Sequence, residues 1–343
     1  MIYARWPYKT GALVPFNGPN QAKPRSQREY LTVKAFYFSG VKKIYMKSDA
    51  LGKIKDFLVS GGFSTFEYPR GCFDIAARRE RLLLLKVLTN IDSFQKDQAK
   101  DLKLLSKFLS SSCFLLGEKT RRERLNDSVI YERFGVPAMT IDTFTSVVDG
   151  KYPGKFRARG GTFGRIDPNE LKRYRKKNNV TQSDLADKLG VSQKRISEYE
   201  SGEGSALLNM VRALEELVGG DIRQGVNPFE MEADVQTDKG KEGEISQRLA
   251  DLGFRTGHVK RAPPRLLVRS DSTVLSRVMD TKRDENNIPS LVEFSKVSGT
   301  DVFIITEDRK DIESVPCIRK NRLDEIEDSK ELLSIIEEKK RSA

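Results

Sequence analysis

The feature that most restricts how this chain can fold is that it contains itself twice. Displaced by 191 positions, residues 51–88 fall on 242–279 without a gap. Gly52 meets Gly243, Ile54 meets Ile245, Leu58 meets Leu249, and Gly62-Phe63 meets Gly253-Phe254. Thr65, Arg78 and Val87 meet Thr256, Arg269 and Val278. Unrelated stretches of this length would share roughly two or three residues. The match resumes after small gaps. Ser106-Lys107 and Phe114 meet Ser295-Lys296 and Phe303, and Val136-Pro137 meets Val315-Pro316.

The physical pattern repeats with the letters. Each copy opens on an apolar helical stripe (Leu51, Ile54, Leu58; Ile245, Leu249) that a glycine ends. Extended runs follow: FSTFEY, CFDIAAR and RLLLLKVL in the first copy, PRLLVRS and TVLSRVM in the second. A helix comes next (AKDLKLLSKFLS; SLVEFSKVS), then a buried strand (CFLLG; VFIIT), then an acidic, apolar-periodic close. Each copy reads αβββαβ plus a last helix, a mixed α/β domain of about 95 residues. The expected copies are 46–149 and 242–337, with 338–343 as a tail.

Between them lies a different text. Residues 150–166 are Gly-rich and basic (Lys151, Lys155, Arg157, Arg159, Arg165) and read as a flexible linker, or as an arm following DNA phosphates. Residues 167–225 hold four helical segments, and 226–241 a second linker. Asp167 and Pro168 start the first helix. Thr181 with Asp184 approximates a capping box, Gly190 stops the second helix, and Ser192 and Gly202 bound the third. Two short helices joined by LGVS make a helix-turn-helix, because so short a turn forces a steep crossing. Ala186 is small where backbones approach, Val191 plugs the gap, and Leu185, Leu189, Ile196 and Tyr199 fill a miniature core.

Thr181-Gln182, Leu185-Ala186, Leu189-Gly190-Val191-Ser192, Ile196-Ser197, Tyr199-Glu200 and Gly202 together resemble the Cro/C1-type helix-turn-helix. The resemblance implies that the helix from 192 to 200 enters a major groove. Gln193, Lys194, Ser197 and Glu198 would then face base edges. Gln suits adenine and Lys suits guanine. Gln182, Ser192, Arg195, Arg173 and Lys176 would meet the phosphate backbone, as hydroxyls, amides and cations do. Ordinary solvated helix faces are the alternative for Lys194, Arg195 and the basic cluster. The order copy, helix-turn-helix, copy resembles an archaeal family of helix-turn-helix transcriptional regulators. That resemblance implies double-stranded DNA as partner, a homodimer, and the basal transcription machinery as a further partner.

The αβββαβ pattern loosely resembles the restriction-endonuclease-like fold, whose active members carry an Asp, then an acid-x-Lys. Asp74 and Lys86 are present, but Leu84 stands at the second acid, and the second copy has Arg265, Leu275 and Arg277. One carboxylate does not hold a hard dication, so no catalytic residue and no metal are assigned. His258 is the chain's one histidine, in a basic loop, and no nucleotide-binding or hydrolase motif occurs, so no cofactor is expected. Cys72, Cys113 and Cys317 are scattered and fit a reducing cytoplasm.

The net charge of +12 points to polyanions. More than half of it sits in residues 1–45, where eight Lys or Arg face Glu29 alone. That segment reads as a disordered extension. Its alternatives are a nucleic-acid-binding arm and a stretch translated from a start upstream of Met46. No apolar run reaches membrane-spanning length. The expected fold is thus multidomain α/β plus all-α, two repeated mixed α/β domains flanking a Cro/C1-type module. The expected function is sequence-specific regulation of transcription, cytoplasmic and not enzymatic. The alternatives are a nuclease-like protein targeted by the module, and a protein-interaction adaptor with a vestigial module.

Overall fold

The computed structural model describes residues 48–158, 160–231, 243–279, 285–307 and 315–342. The readings of residues 1–45, of Arg159 and of most of 226–241 lie outside these. The first repeat runs α1 (48–60), β1 (Ser64–Glu67), β2 (Ile75–Arg78), β3 (Leu82–Asn90), α2 (Lys96–Phe108), β4 (Ser112–Lys119), β5 (Val129–Arg133), β6 (Val136–Met139) and α3 (Ile141–Val148). A hairpin of β7 (Lys155–Ala158) and β8 (Gly161–Ile166) follows. The central module holds α4 (Pro168–Lys177), α5 (Gln182–Leu189), α6 (Gln193–Ser201), β9 (Ser205–Leu207), α7 (Leu208–Val218) and β10 (Arg223–Gln224). The second repeat contains α8 (Glu244–Asp251), β11 (Arg255–His258), β12 (Leu266–Arg269), β13 (Thr273–Met279), α9 (Ile288–Ser298), β14 (Asp301–Thr306), β15 (Cys317–Arg319), α10 (Lys320–Glu325) and α11 (Ser329–Ser342).

The repeat seen in the letters recurs in the strand registers. Ser64 opposes Arg78 in the first sheet, and Arg255 opposes Arg269 in the second, each displaced by 191. Leu85 opposes Phe114 across parallel β3 and β4, as Ser276 opposes Phe303 across β13 and β14. Leu116 opposes Met139, as Ile305 opposes Ile318. A register slip of one residue would turn every side chain to the wrong face, so these correspondences make the two copies one architecture: an antiparallel meander of three strands continued by parallel crossovers.

The Leu82–Leu85 run is apolar throughout because both faces of β3 are covered. Leu83, Leu85 and Val87 pack with Ile54 and Leu58 of α1 and with Phe144 and Val147 of α3. Leu82 and Leu84 point the other way, into a core shared with the second repeat through Leu267, Leu275, Leu291 and Phe294. The sharing is reciprocal. α2 lies on β11 and β12, and α9 lies on β1 and β2. Phe294 of α9 stacks on Phe73 at 5.2 Å and meets Phe66 at a tilt at 5.8 Å. At the equivalent place Gly257 stands for Phe66, and a Cβ there would fall 2.8 Å from the Phe108 ring of α2. The matched arginines serve the same junction twice. Arg78 donates to the Ser298 carbonyl at the end of α9, and Arg269 donates to the Lys107 carbonyl at the end of α2 at 3.1 Å.

Residues 150–166 differ from the flexible linker expected of them. β7 runs parallel to β5, and β8 pairs with β7, β9 and β10, so the first sheet continues into the central module. Phe156 and Phe163 stack at 5.8 Å across the hairpin. Buried Gly164 and Ile166 alternate with exposed Arg165, a period of two that the glycine and basic content obscured. Residues 205–207, inside the span expected to be helical segments, form β9 because β8 offers them an edge. His258, read as a loop residue, ends β11, with its Nε2 2.5 Å from Ser246 Oγ.

Candidate nucleic-acid interface

Local chemistry sets the central module. Asp167 accepts from the amides of Asn169 and Glu170 and starts α4. Thr181 and Asp184 cap α5 reciprocally, and Ser192 caps α6 by accepting from the Arg195 amide. Gly190 and Gly202 end α5 and α6 with φ of 65° and 83°, a conformation that costs a side-chain-bearing residue about 1–2 kcal/mol. Leu171, Leu185, Ala186, Ile196, Tyr199, Val211 and Leu214 are buried together, with Ile166 and Ala206 from strands β8 and β9 and Ile222 just before β10. Each buried Leu or Ile contributes about 1.5–3 kcal/mol, which is how so small a module holds one geometry.

That geometry divides α6 lengthwise. Ile196 and Tyr199 point inward, while Gln193, Lys194 and Ser197 are exposed. Lys194 has no ion-pair partner among the described residues. Glu198, half-buried, pairs with Arg195 at 2.9 Å, and Arg195 also lies 5.5 Å from the Tyr199 ring centre. Arg173 pairs with Glu170 at 2.8 Å on the surface of α4, and Lys176 is exposed. Gln182 is half-buried and donates to Glu200 Oε2 at 2.7 Å.

The role of Glu200 emerges only in the structure. This residue is buried at the end of α6 and takes Arg175 Nε on Oε1 at 2.8 Å and Arg175 Nη2 on Oε2 at 3.2 Å. Burial works to raise its carboxyl pKa. The hydrogen bonds from Arg175 and Gln182, with the guanidinium charge, outweigh burial and hold it below the ordinary range. Arg175 is thus a strut joining α4 to α6, and only partly available to a phosphate.

The first repeat brings together the Asp and the Lys of the acid-x-Lys pattern without its second acid. Asp74 and Lys86 are both buried, 3.3 Å apart. Asp74 Oδ2 accepts from the Val87 amide at 2.8 Å, and Lys86 Nζ donates to the Gly71 carbonyl at 2.8 Å. Leu84, on the strand where the second acid belongs, is fully buried in the shared core. In the second repeat Arg277 donates to the Pro263 carbonyl at 2.9 Å, and Leu275 is core. Among the described residues no group of three or more His, Cys, Asp or Glu could hold a metal ion. The donor set does not fit the divalent cation such sites use, so no step is derived through one.

Comparison with known proteins agrees with this division. Residues 47–153 match the PD-(D/E)XK superfamily domain, and residues 171–224 match the helix-turn-helix family. The chain is 34% identical over 305 residues to a protein of Pyrococcus furiosus named "Putative HTH-type transcriptional regulatory protein", covering 83% of this chain and 96% of that one. A protein of the same name from Methanothermobacter thermautotrophicus is 35% identical over 87% of this chain and 98% of its own. One from Methanocaldococcus jannaschii is 29% identical over 78% and 89%. No solved structure matches. Among the described residues no helix is long and apolar enough to cross a membrane. With two relatives above 30% identity aligned along nearly their whole length, the chain belongs to this archaeal family of HTH-type transcriptional regulatory proteins.

Proposed function

We propose that the protein binds double-stranded DNA in a sequence-specific manner and regulates transcription, laying α6 in the major groove. The observation that carries this is the lengthwise division of α6: Gln193, Lys194 and Ser197 face solvent from its leading turns while Ile196 and Tyr199 anchor it from behind. Gln193 has the donor–acceptor pair that adenine presents in that groove, and Lys194 donates to guanine. Ser192, Arg173 and Lys176 flank the helix as backbone contacts. Gln182 and Arg195 join them by exchanging their bonds to Glu200 and Glu198 for phosphate oxygens. Glu198, in turn released by Arg195, accepts from a cytosine amine.

One small module buries little DNA, so a homodimer on half-sites about one helical turn apart is the arrangement that suits it. The basal transcription machinery is the partner through which a bound dimer acts. The test is duplex binding by the full chain. Gln193→Ala with Lys194→Ala should lose preference for a selected sequence over a scrambled one by about 1–3 kcal/mol per base contact. Unchanged preference, with capture of a protein partner intact, favours an adaptor with an unused module.

A nuclease reading draws on the PD-(D/E)XK match and on the Asp74–Lys86 pair. It requires Mg²⁺- or Mn²⁺-dependent cleavage that Asp74→Ala abolishes. The missing second carboxylate at Leu84 predicts no cleavage.

A further inference from the structure

We propose that the loop from Lys119 to Arg124 in the first repeat is a second contact for the duplex backbone, acting together with α6. The inference rests on the DNA-binding reading above and adds a surface to it.

The loop carries Lys119, Arg121, Arg122 and Arg124 against Glu123, and all five are exposed. None of the four cations has a side-chain partner among the described residues. Glu123 is engaged: its Oε1 lies 3.6 Å from Arg157 Nη2. Of the acids beside the loop, Asp92 accepts from the Arg121 amide at 2.8 Å and pairs with Arg133 at 3.8 Å, Asp127 takes a hydrogen bond from Thr140 Oγ1 at 2.5 Å, and Glu118 is exposed. The loop is held in shape. Thr120 donates its amide to the Glu123 carbonyl at 2.8 Å, and its Oγ1 accepts from the amides of Arg122 and Glu123. Leu125 is buried in the shared core and anchors the loop's far end. An isolated bridge joins Lys119 to Arg124.

The hairpin fixes the loop relative to the recognition module. On β8, alternate residues Thr162, Gly164 and Ile166 share one face. Ile166 and Ala206, the partner of Gly164, belong to the module's core, and a Cβ on Gly164 would fall 3.2 Å from Val211 of α7. That face therefore carries the helices. Arg157 lies opposite Thr162 and donates to its Oγ1 at 2.8 Å, so it projects on the same face. At the other end Arg165 opposes Ser205, whose carbonyl accepts from Arg195 Nη2 at 3.4 Å. From Ser205 to Arg157 is two strand spacings across and three residues along, about 14 Å. That is less than half of the ~34 Å helical turn. A duplex seated on α6 thus has its next backbone within reach of the cations beside Arg157. The parallel pairing of β5 with β7 makes the link stiff.

Each phosphate neutralised adds about 0.9 to the slope of log affinity against log salt. The experiment measures that slope in KCl for the full chain on a selected duplex of about 40 base pairs, long enough for several turns. Arg121→Ala/Arg122→Ala/Arg124→Ala should lower the slope by about 2–3 and leave the preference for the selected over a scrambled sequence unchanged. Replacing the same three by Lys should restore the slope, which loss of structure would not allow. Gln193→Ala/Lys194→Ala should do the converse, losing preference first. If wild type binds duplex and the Ala variant keeps its full slope, the loop is not a contact and only this inference falls. If wild type binds no duplex, the regulator reading falls and takes the inference with it.

Discussion

Glu200 holds α6 in place from inside the central module. It closes α6 and binds Arg175 of α4 and Gln182 of α5, so one carboxylate ties three helices. Glu200→Ala leaves the Arg175 guanidinium with only the Val180 carbonyl and removes the acceptor of the Gln182 amide, at a cost of about 1–3 kcal/mol. Thermal denaturation of the variant at neutral pH checks this. The pH dependence has a defined sign. The folded pKa lies below the unfolded glutamate value of about 4.3, so this contribution is complete above that value and is lost as pH falls through the folded pKa. The variant should therefore be less acid-sensitive than wild type below about pH 4. The motif letters announced Glu200's position but not its partner, because Arg175 sits 25 residues earlier amid Arg173, Lys176 and Lys177 and only burial distinguishes it. The outward Gln193 and Lys194 were legible, since the apolar spacing of Ile196 and Tyr199 assigns the opposite face to them.

At the level of elements, the two α/β copies were readable because one displacement, resumed after small gaps, matched glycine stops, strands and helices in the same order. Their pairing registers then follow the same displacement. The hairpin β7–β8 was not readable: its strands of four and six residues are mostly half-buried or exposed, and composition outweighed alternation. The packing of one copy on the other was equally hidden, because it uses faces that look like ordinary core. Gly257 marks that junction. Gly257→Val would drive a side chain into the Phe108 ring and should destabilise the protein by about 1–3 kcal/mol, read by chemical denaturation. A neutral result would mean that α2 does not lie on β11.

For the molecule as a whole, one sheet runs from the first repeat through the hairpin beneath the helix-turn-helix, and a shared apolar core joins the repeats. The repeats should therefore unfold in a single calorimetric transition, with no separate melting of the second copy. Two separable transitions for the repeats would contradict the shared core. The arrangement presents α6 from a sheet shared with the first repeat, in which Leu84 stands where the acid-x-Lys pattern has its acid. The claim that α6 enters the major groove is tested most directly by methylation interference on a selected duplex, since guanine N7 lies in that groove. The account predicts that N7 methylation blocks binding at guanines in two half-sites about one turn apart. Binding indifferent to N7 methylation at every guanine of a guanine-containing selected site would contradict it.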